Sequence, residues 1–376
     1  MPDFIHPSSP ATNLVGLSLN DLSTLAASWG ESPFRARQLF LAIYRQRFNS
    51  LDQVTTLSAT LRAMLKDQGV QISLPLIERR FNSVDGTVRY LFTFADGQSV
   101  ESVWMPEGDG GESGDGTEAG DEETAATPRR YYDRATICVS SQVGCAVNCS
   151  FCMTALLGLN RNLTAGEIAG QVMAVLNDHR VDLEHERVNL VFMGQGEPFN
   201  NYDNFIAAVR LLAEGVGFAQ SRMTVSTSGI VPRISDLGRE TIRPKLAISL
   251  NASNDEDRTR LIPINKKWDI PQLLTAARQF PLRRREMLTF EYVLLAGVND
   301  SDANAREVLD LVRGIKAKVN LIAWNSGPEI PYSTPAHDRV LAFQKILTSG
   351  GVPAFIRRPR GRDIYAACGQ LKKTIA

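Results

Sequence analysis

From about residue 135 to the C-terminus, short β-rich runs alternate with helical ones, and that alternation constrains the fold more than any other feature. The runs 136–140, 188–193, 223–227, 246–250, 288–295, 319–324 and 353–357 read as strands. Helical segments separate them. Thr164 and Glu167 form a capping box ahead of Ile168, Val172, Val175 and Leu176, which recur at helical spacing. Strands spaced by helices predict an α/β fold with a parallel sheet, open or curled into a partial or full barrel. Chemistry in such folds sits at the C-terminal ends of the strands.

The first third of the chain has a different texture. Residues 16–68 read as helical, with Ser32 and Pro33 as an N-cap and N1 pair before Leu39, Phe40, Ile43 and Tyr44. A second amphipathic helix is expected from Leu51 to Leu65. At 72–105 the period shortens: Val88, Tyr90, Phe92 and Phe94 alternate, and Asp96-Gly97 marks a turn, so a β meander is predicted. The expected division is therefore 1–71 helical accessory domain, 72–107 β meander, 108–130 acidic glycine-rich insertion, and 131–376 α/β domain.

Charge sharpens this picture. The chain carries 41 basic and 41 acidic residues. Eight of the acids lie in 107–123 among six glycines and no base, so the remainder carries a surplus of eight positive charges. A basic body suits a nucleic-acid partner. The acidic stretch is too polar to bury a core, and deleting 108–124 is expected to leave activity intact. No run of about 18 apolar residues exists, which excludes a membrane-spanning helix. No signal-peptide pattern opens the chain, so the expected compartment is the cytoplasm.

Five cysteines occur: Cys138, Cys145, Cys149, Cys152 and Cys368. Three of them crowd into eight residues just after the first strand of the alternating region. In a cytosolic chain such crowding reads as metal ligation or redox work. Three thiolates on one loop can hold three irons of a [4Fe–4S] cluster and leave the fourth iron open to a small chelating molecule. S-adenosylmethionine offers an amino and a carboxylate group for that position, with Phe151 placed to cover it. The alternative is a zinc knuckle, for which His179 is the closest histidine in sequence. Gly194-Gln195-Gly196-Glu197-Pro198 follows the next strand; its glycines allow close backbone approach, and Glu197 suits an ammonium. Ser226-Thr227-Ser228-Gly229 and Ser249-Leu250-Asn251 end later strands at the same rim. Basic groups gather at Lys266-Lys267, at Arg283-Arg284-Arg285 and at Arg357-Arg358-Pro359-Arg360-Gly361-Arg362. The last cluster abuts Cys368, where it could grip RNA phosphates. Glu101 closes the meander, and by its local sequence it reads as a surface residue.

These motifs, with Ile262-Pro263-Ile264-Asn265-Lys266-Lys267, Asn320-Leu321-Ile322-Ala323-Trp324-Asn325 and Ala366-Ala367-Cys368-Gly369-Gln370, occur in one order over residues 16–372. In that order the chain resembles the RlmN/Cfr family of radical S-adenosylmethionine RNA methyltransferases. The resemblance implies a partial (β/α) barrel of the radical SAM type, a [4Fe–4S] cluster on Cys145, Cys149 and Cys152, and two S-adenosyl-L-methionine molecules consumed per turnover. It implies methylation at C2 of an adenosine in the peptidyl-transferase region of 23S rRNA and of an adenosine beside the tRNA anticodon. C8 of the same rRNA base is the Cfr-type alternative, and a non-catalytic zinc RNA-binding protein is the rival of another class. By the same resemblance Cys368 carries the methyl group, Cys138 closes a transient disulfide onto it to release product, and Glu101 is the general base. Gly196, Glu197, Ser226, Ser249, Leu250, Asn251 and Asn325 match cofactor-binding positions. Gln195 and Asn251 depart from the methionine and histidine expected there. An electron donor such as flavodoxin and a monomeric state are also implied.

Overall fold

The structure is a computed structural model that describes residues 12–107, 112–113, 117–118 and 134–372. The acidic insertion lies outside the described residues, apart from Glu112–Ser113 and Thr117–Glu118, which pair antiparallel.

The N-terminal part is helical: α1 (Leu19–Ser28), α2 (Pro33–Phe40) and α3 (Ala59–Asp67). The single helix expected over 51–65 is broken. Leu51–Gln53 makes one 3-10 turn, Val54 leaves helical backbone with ψ 65°, and Ser58 starts α3 afresh by accepting from the Leu61 N–H at 3.2 Å. Ser32 and Pro33 do open α2, but the Ser32 hydroxyl makes no capping bond. Tyr44 anchors this part from within. Its hydroxyl accepts from the Gly16 N–H (2.9 Å) and donates to the Leu17 carbonyl (2.8 Å).

One sheet of ten strands organises the rest. In chain order these are β1 (Leu76–Asn82), β2 (Val88–Thr93), β3 (Ser99–Glu107), β4 (Arg134–Cys138), β5 (Val188–Phe192), β6 (Met223–Thr227), β7 (Lys245–Ser249), β8 (Leu288–Leu294), β9 (Ala317–Ala323) and β10 (Ala354–Ile356). Spatial order equals chain order. The meander strands β1 to β3 pair antiparallel and join β4 antiparallel, with Val103 opposite Cys138. From β4 to β10 every pairing is parallel. That change follows from the connections. The meander uses tight turns, whereas the parallel strands are linked by helical crossovers.

These crossovers include α4 (Ala165–Asp178), α5 (Tyr202–Arg210), α6 (Val231–Arg239), α7 (Asp255–Leu261), α8 (Ile270–Gln279), α9 (Asp302–Val312) and α10 (His337–Ser349). The capping box expected at Thr164 and Glu167 is present on α4. The parallel strands β5, β6 and β8 bury alternate residues, one face each. On β8, Leu288, Phe290, Tyr292 and Leu294 are fully buried, and Tyr292 meets Phe343 of α10 with ring centroids 5.1 Å apart. The intervening Thr289, Glu291 and Val293 occupy the other face, the lumen, and are only half-buried. The sheet edges are bridged after β10: Asp363 accepts from Ser83 Oγ (2.6 Å) and Val84 N–H (3.2 Å) in the β1–β2 turn. The C-terminal segment thus crosses the open side of a partial barrel.

Candidate active site

The three-cysteine loop hangs from β4. Gln142–Gly144 pairs antiparallel with Leu159–Asn162, and the Cys145 N–H donates to the Gly158 carbonyl at 2.8 Å, closing the loop at its base. Gly144 is required for that closure. Its φ is +77°, and a Cβ there would lie 1.8 Å from the Gly158 oxygen. Cys145, Cys149 and Cys152 are free and half-buried, packed against Val147, Phe151, Ala252, Leu261, Ile262, Leu295 and Trp324. Burial pushes the Cys145 thiol up to about 12 and raises Cys149 and Cys152, and charge on neighbouring cysteines of the loop adds to the rise at Cys145 and Cys149. Three crowded thiols of this kind become thiolates only with a bound cation, which fits metal ligation. Among the described residues, no three His, Cys, Asp or Glu side chains converge to hold a single ion. Four tetrahedral zinc ligands would bring sulfurs to about 3.8 Å, from a Zn–S bond of about 2.3 Å. A cubane asks for wider spacing, because each thiolate binds its own iron.

One expectation changes here. Phe151 is buried and packs with the three cysteines, and its carbonyl accepts from Trp324 Nε1 at 3.0 Å. His179 is committed elsewhere. It stacks on Trp104 at 4.1 Å and meets the Tyr90 hydroxyl at 2.8 Å.

The Gly194–Pro198 loop is fastened to the root of the cysteine loop. Gln195 N–H donates to Ser140 Oγ (2.8 Å) and Glu197 N–H to Gln142 Oε1 (2.8 Å). Gly196 has φ +97°, and a Cβ there would sit 2.7 Å from the Gln142 nitrogen. The Glu197 carboxylate is buried, accepting from Phe199 N–H (3.1 Å) and Ser228 N–H (2.7 Å). Burial raises its proton affinity against those two bonds. Ser226 and Ser249 face each other, Oγ to Oγ at 3.2 Å. Leu250 is fully buried. Ser141 Oγ is buried with no partner, an orphaned hydroxyl that a polar ligand would satisfy. This fits the binding of S-adenosylmethionine.

Asn251 and Asn325 make hydrogen bonds within the chain. Asn251 adopts φ +55°, and its Oδ1 accepts from Val293 N–H at 2.7 Å. Asn325 Nδ2 donates to the Cys368 carbonyl (3.4 Å), and its Oδ1 accepts from Arg362 Nε (3.0 Å).

Cys138 and Cys368 are both free thiols. Cys138 is buried with Val103, Ile364, Ala366 and Leu371. Burial raises its thiol, and a charge on Cys368 raises it further. Cys368 is exposed to solvent, yet the protein packed around it pushes its thiol up to about 11, with the Glu291 charge adding to the effect. Its segment docks on the cysteine loop: Met153 N–H donates to Gly369 (2.8 Å) and Thr154 Oγ1 to Leu371 (2.8 Å). Glu101 is not a surface residue. It is fully buried, ion-paired with Arg89, and contacted by Gln195 Nε2 at 3.4 Å. β3 carries Glu101 on the same face as Val103, opposite Cys138.

The basic clusters divide. Arg283 is structural, donating to Gln220 Oε1 (2.6 Å) and the Arg243 carbonyl (2.8 Å). Lys267 lies over the Trp268 ring at 4.5 Å. Of the last cluster, Arg362 reaches the Cys368 segment through Asn325, and the Arg357 charge favours the Cys368 thiolate against its burial.

Sequence reasoning missed Arg89, Gln142, Arg258 and Glu291. The hairpin offered a signal for Arg89. Counting outward from the Asp96-Gly97 turn sets Leu91 opposite Glu101, so Arg89 shares its face. Gln142, Arg258 and Glu291 lie outside every motif.

A curled parallel sheet with a three-cysteine loop after its first parallel strand and a Gly-Glu turn after its second defines a radical S-adenosylmethionine enzyme. The comparisons agree. Residues 139–309 match the Radical SAM superfamily, and residues 12–70 match the ribosomal RNA large subunit methyltransferase N-terminal domain. The chain is 67% identical over 345 residues to a probable dual-specificity RNA methyltransferase RlmN of Koribacter versatilis, covering 92% of this chain and 97% of that one. It is 46% identical to the RlmN of Anaeromyxobacter sp., covering 96% and 91%. A radical SAM methyltransferase from Sphaerobacter thermophilus superposes with a TM-score of 0.85 at 42% identity, over 96% of this chain and 99% of that one. The chain belongs to the RlmN family of dual-specificity RNA methyltransferases, enzymes that use a [4Fe–4S] cluster and S-adenosylmethionine.

Proposed function

We propose that this protein methylates carbon 2 of an adenosine in the peptidyl-transferase region of 23S rRNA and of an adenosine beside the tRNA anticodon, through a methyl group carried on Cys368. Carbon 2 of adenine is electron-poor and does not attack an electrophilic methyl group, so direct displacement fails. The cluster and its bound S-adenosylmethionine supply the radical chemistry that activates the Cys368 methyl for addition. The chain's own residues do the rest. Cys145, Cys149 and Cys152 bind the irons, and Glu197, Ser226, Ser249 and Leu250 line the cofactor cradle. Glu101, set by Arg89, accepts the C2 proton. Cys138 then attacks Cys368, forming a disulfide that frees the methylated RNA and must be reduced for the next cycle.

The observation that carries this reading is the docking of the Cys368 segment on the three-cysteine loop through Gly369 and Leu371, with Cys138 alongside. The RlmN names of the relatives support C2 over C8. The target base must leave its stack to bring C2 to Cys368, so looped RNA is the expected substrate. A flavodoxin-like donor, a monomeric state and a cytoplasmic location complete the proposal. Nucleoside mass spectrometry of rRNA and tRNA from cells with and without the protein tests it. Loss of 2-methyladenosine from both RNAs is expected; an 8-methyl product, or no change, would refute it.

A further inference from the structure

Glu101 stands where the pairing of β3 with β4 runs out. Val103 lies opposite Cys138, the last residue of β4, so Glu101 falls beyond the end of that strand. Side chains hold its main chain instead. The Glu101 carbonyl accepts from Ser140 Oγ at 2.5 Å, and its N–H donates to Gln195 Oε1 at 3.4 Å. The same carboxamide turns its Nε2 onto Glu101 Oε2, also at 3.4 Å, while Arg89 engages Oε1. Both Gln195 bonds depend on one orientation of the amide: flipped, its Nε2 would face an N–H and its oxygen a carboxylate. Gln195, Glu101 and Arg89 are fully buried, and a carboxamide is costly to bury without partners. A methionine here would make neither bond. Gln195 also belongs to the turn that carries Glu197, and its own N–H donates to Ser140 Oγ at 2.8 Å. The turn that lines the cofactor cradle is thus tied to Glu101 both directly and through Ser140.

We propose that Gln195 is a positioning residue for the base: its carboxamide fixes the Glu101 carboxylate between the cofactor turn and Arg89 and favours its charged form. The proposal rests on the reading of Glu101 as the base. It concerns one step, the passage of the C2 proton to a Glu101 oxygen. A carboxylate offers lone pairs on both oxygens. Gln195 and Arg89 engage one oxygen each, which stops the group from turning and leaves further lone pairs for the proton. An amide N–H given to a carboxylate favours the ionised form, the one that accepts a proton. A base so held meets the proton in a fixed geometry, which is what makes proton transfer efficient. Bonds of 3.4 Å are long, yet in a site closed to water each counts for more than it would in solvent.

The test follows a single turnover of the anaerobically purified, Cys368-methylated holoenzyme on a 23S rRNA fragment, with the protein–RNA adduct and the methylated RNA both read by mass spectrometry. Gln195→Met keeps the length of the side chain and loses both bonds; Gln195→Leu repeats the loss without a thioether. Resolution of the adduct into methylated RNA should slow roughly tenfold in each, as expected for the loss of one hydrogen bond to a charged group. That slowing should exceed any slowing of Cys368 methylation measured beside it. With the target adenosine deuterated at C2, resolution should show a larger isotope effect in both variants than in wild type. In a Glu101→Gln background the same substitutions should cost nothing further, because Gln195 acts through Glu101. Wild-type resolution in both variants, equal slowing of resolution and Cys368 methylation, an unchanged isotope effect, or a further loss in the Glu101→Gln background would overturn the proposal. Resolution at the wild-type rate in Glu101→Gln alone would refute the base and the role of Gln195 with it, whereas a stalled Glu101→Gln beside unaffected Gln195 variants refutes the role of Gln195 alone.

Discussion

Replacing Gly144 with alanine tests how the cysteine loop is closed. The backbone there has φ +77°, which costs a non-glycine residue roughly 1–2 kcal/mol. The added Cβ would stand 1.8 Å from the Gly158 oxygen, so the two strands at the loop base must separate. Separation breaks the 2.8 Å bond from Cys145 N–H to Gly158 and leaves polar groups unsatisfied, at about 1–3 kcal/mol more. The closed loop is thus disfavoured by about 3 kcal/mol, roughly a hundredfold in its population. Gly97→Ala is the matched control. Gly97 has the same φ of +77° with nothing within 4 Å of its would-be Cβ, so it bears the backbone strain alone. After anaerobic reconstitution, iron per chain and the visible absorbance should collapse in Gly144→Ala and persist in Gly97→Ala, with both proteins folded by circular dichroism. Full iron in Gly144→Ala would refute the reasoning.

Three further outcomes are expected. Cys368→Ala should abolish methyl transfer to RNA while reductive cleavage of S-adenosylmethionine, read as 5′-deoxyadenosine by chromatography, continues; product formed without Cys368 would end its role as methyl carrier. Arg243→Met should destabilise the fold by about 3–5 kcal/mol in chemical denaturation, because it strands the buried Glu286 carboxylate that Arg243 holds at 2.8 and 3.0 Å; a loss under 1 kcal/mol would mean the pair is dispensable. Burial alone would raise Glu286, but the bonds from Arg243 and Arg283 outweigh it and hold Glu286 below its ordinary 4.5. A carboxylate lowered on folding contributes stability that is complete above the unfolded value and fades as pH falls through the folded one. Glu286→Gln should therefore flatten the decline in stability below about pH 4.5, and an unchanged acid limb would contradict the ion pair.

Much of the architecture was legible because parallel strands buried on one face by helices leave a strong apolar pattern. β6 runs over Met223–Thr227 as expected, and β8 and β9 are within two residues of their expected ends. The break between Leu51 and Ala59 was not legible: hydrophobic spacing continues across it, and only the conformation of Val54 and the cap at Ser58 interrupt the helix. The chemistry showed in the same uneven way. Cysteines and glycines announce themselves by type and spacing. Arg258 and Glu291 do not, because their meaning comes from strand ends and a lumen assembled from distant parts of the chain. Glu101 was misread as exposed for the same reason, its burial depending on Arg89 across the hairpin and on Gln195 from another strand. Asn251 shows what a departure from an expected residue can conceal. Its side chain carries a backbone bond to Val293 at a positive φ that asparagine tolerates.

The central claim is that Cys368 bonds covalently to RNA and that Cys138 releases it. Reduced Cys138→Ala holoenzyme, incubated without air with S-adenosylmethionine and a 23S rRNA fragment, examines this directly by intact-mass analysis after nuclease digestion. The account predicts a stalled protein–RNA adduct mapping to Cys368. Free methylated RNA released at the wild-type rate, with no adduct on the protein, would contradict it.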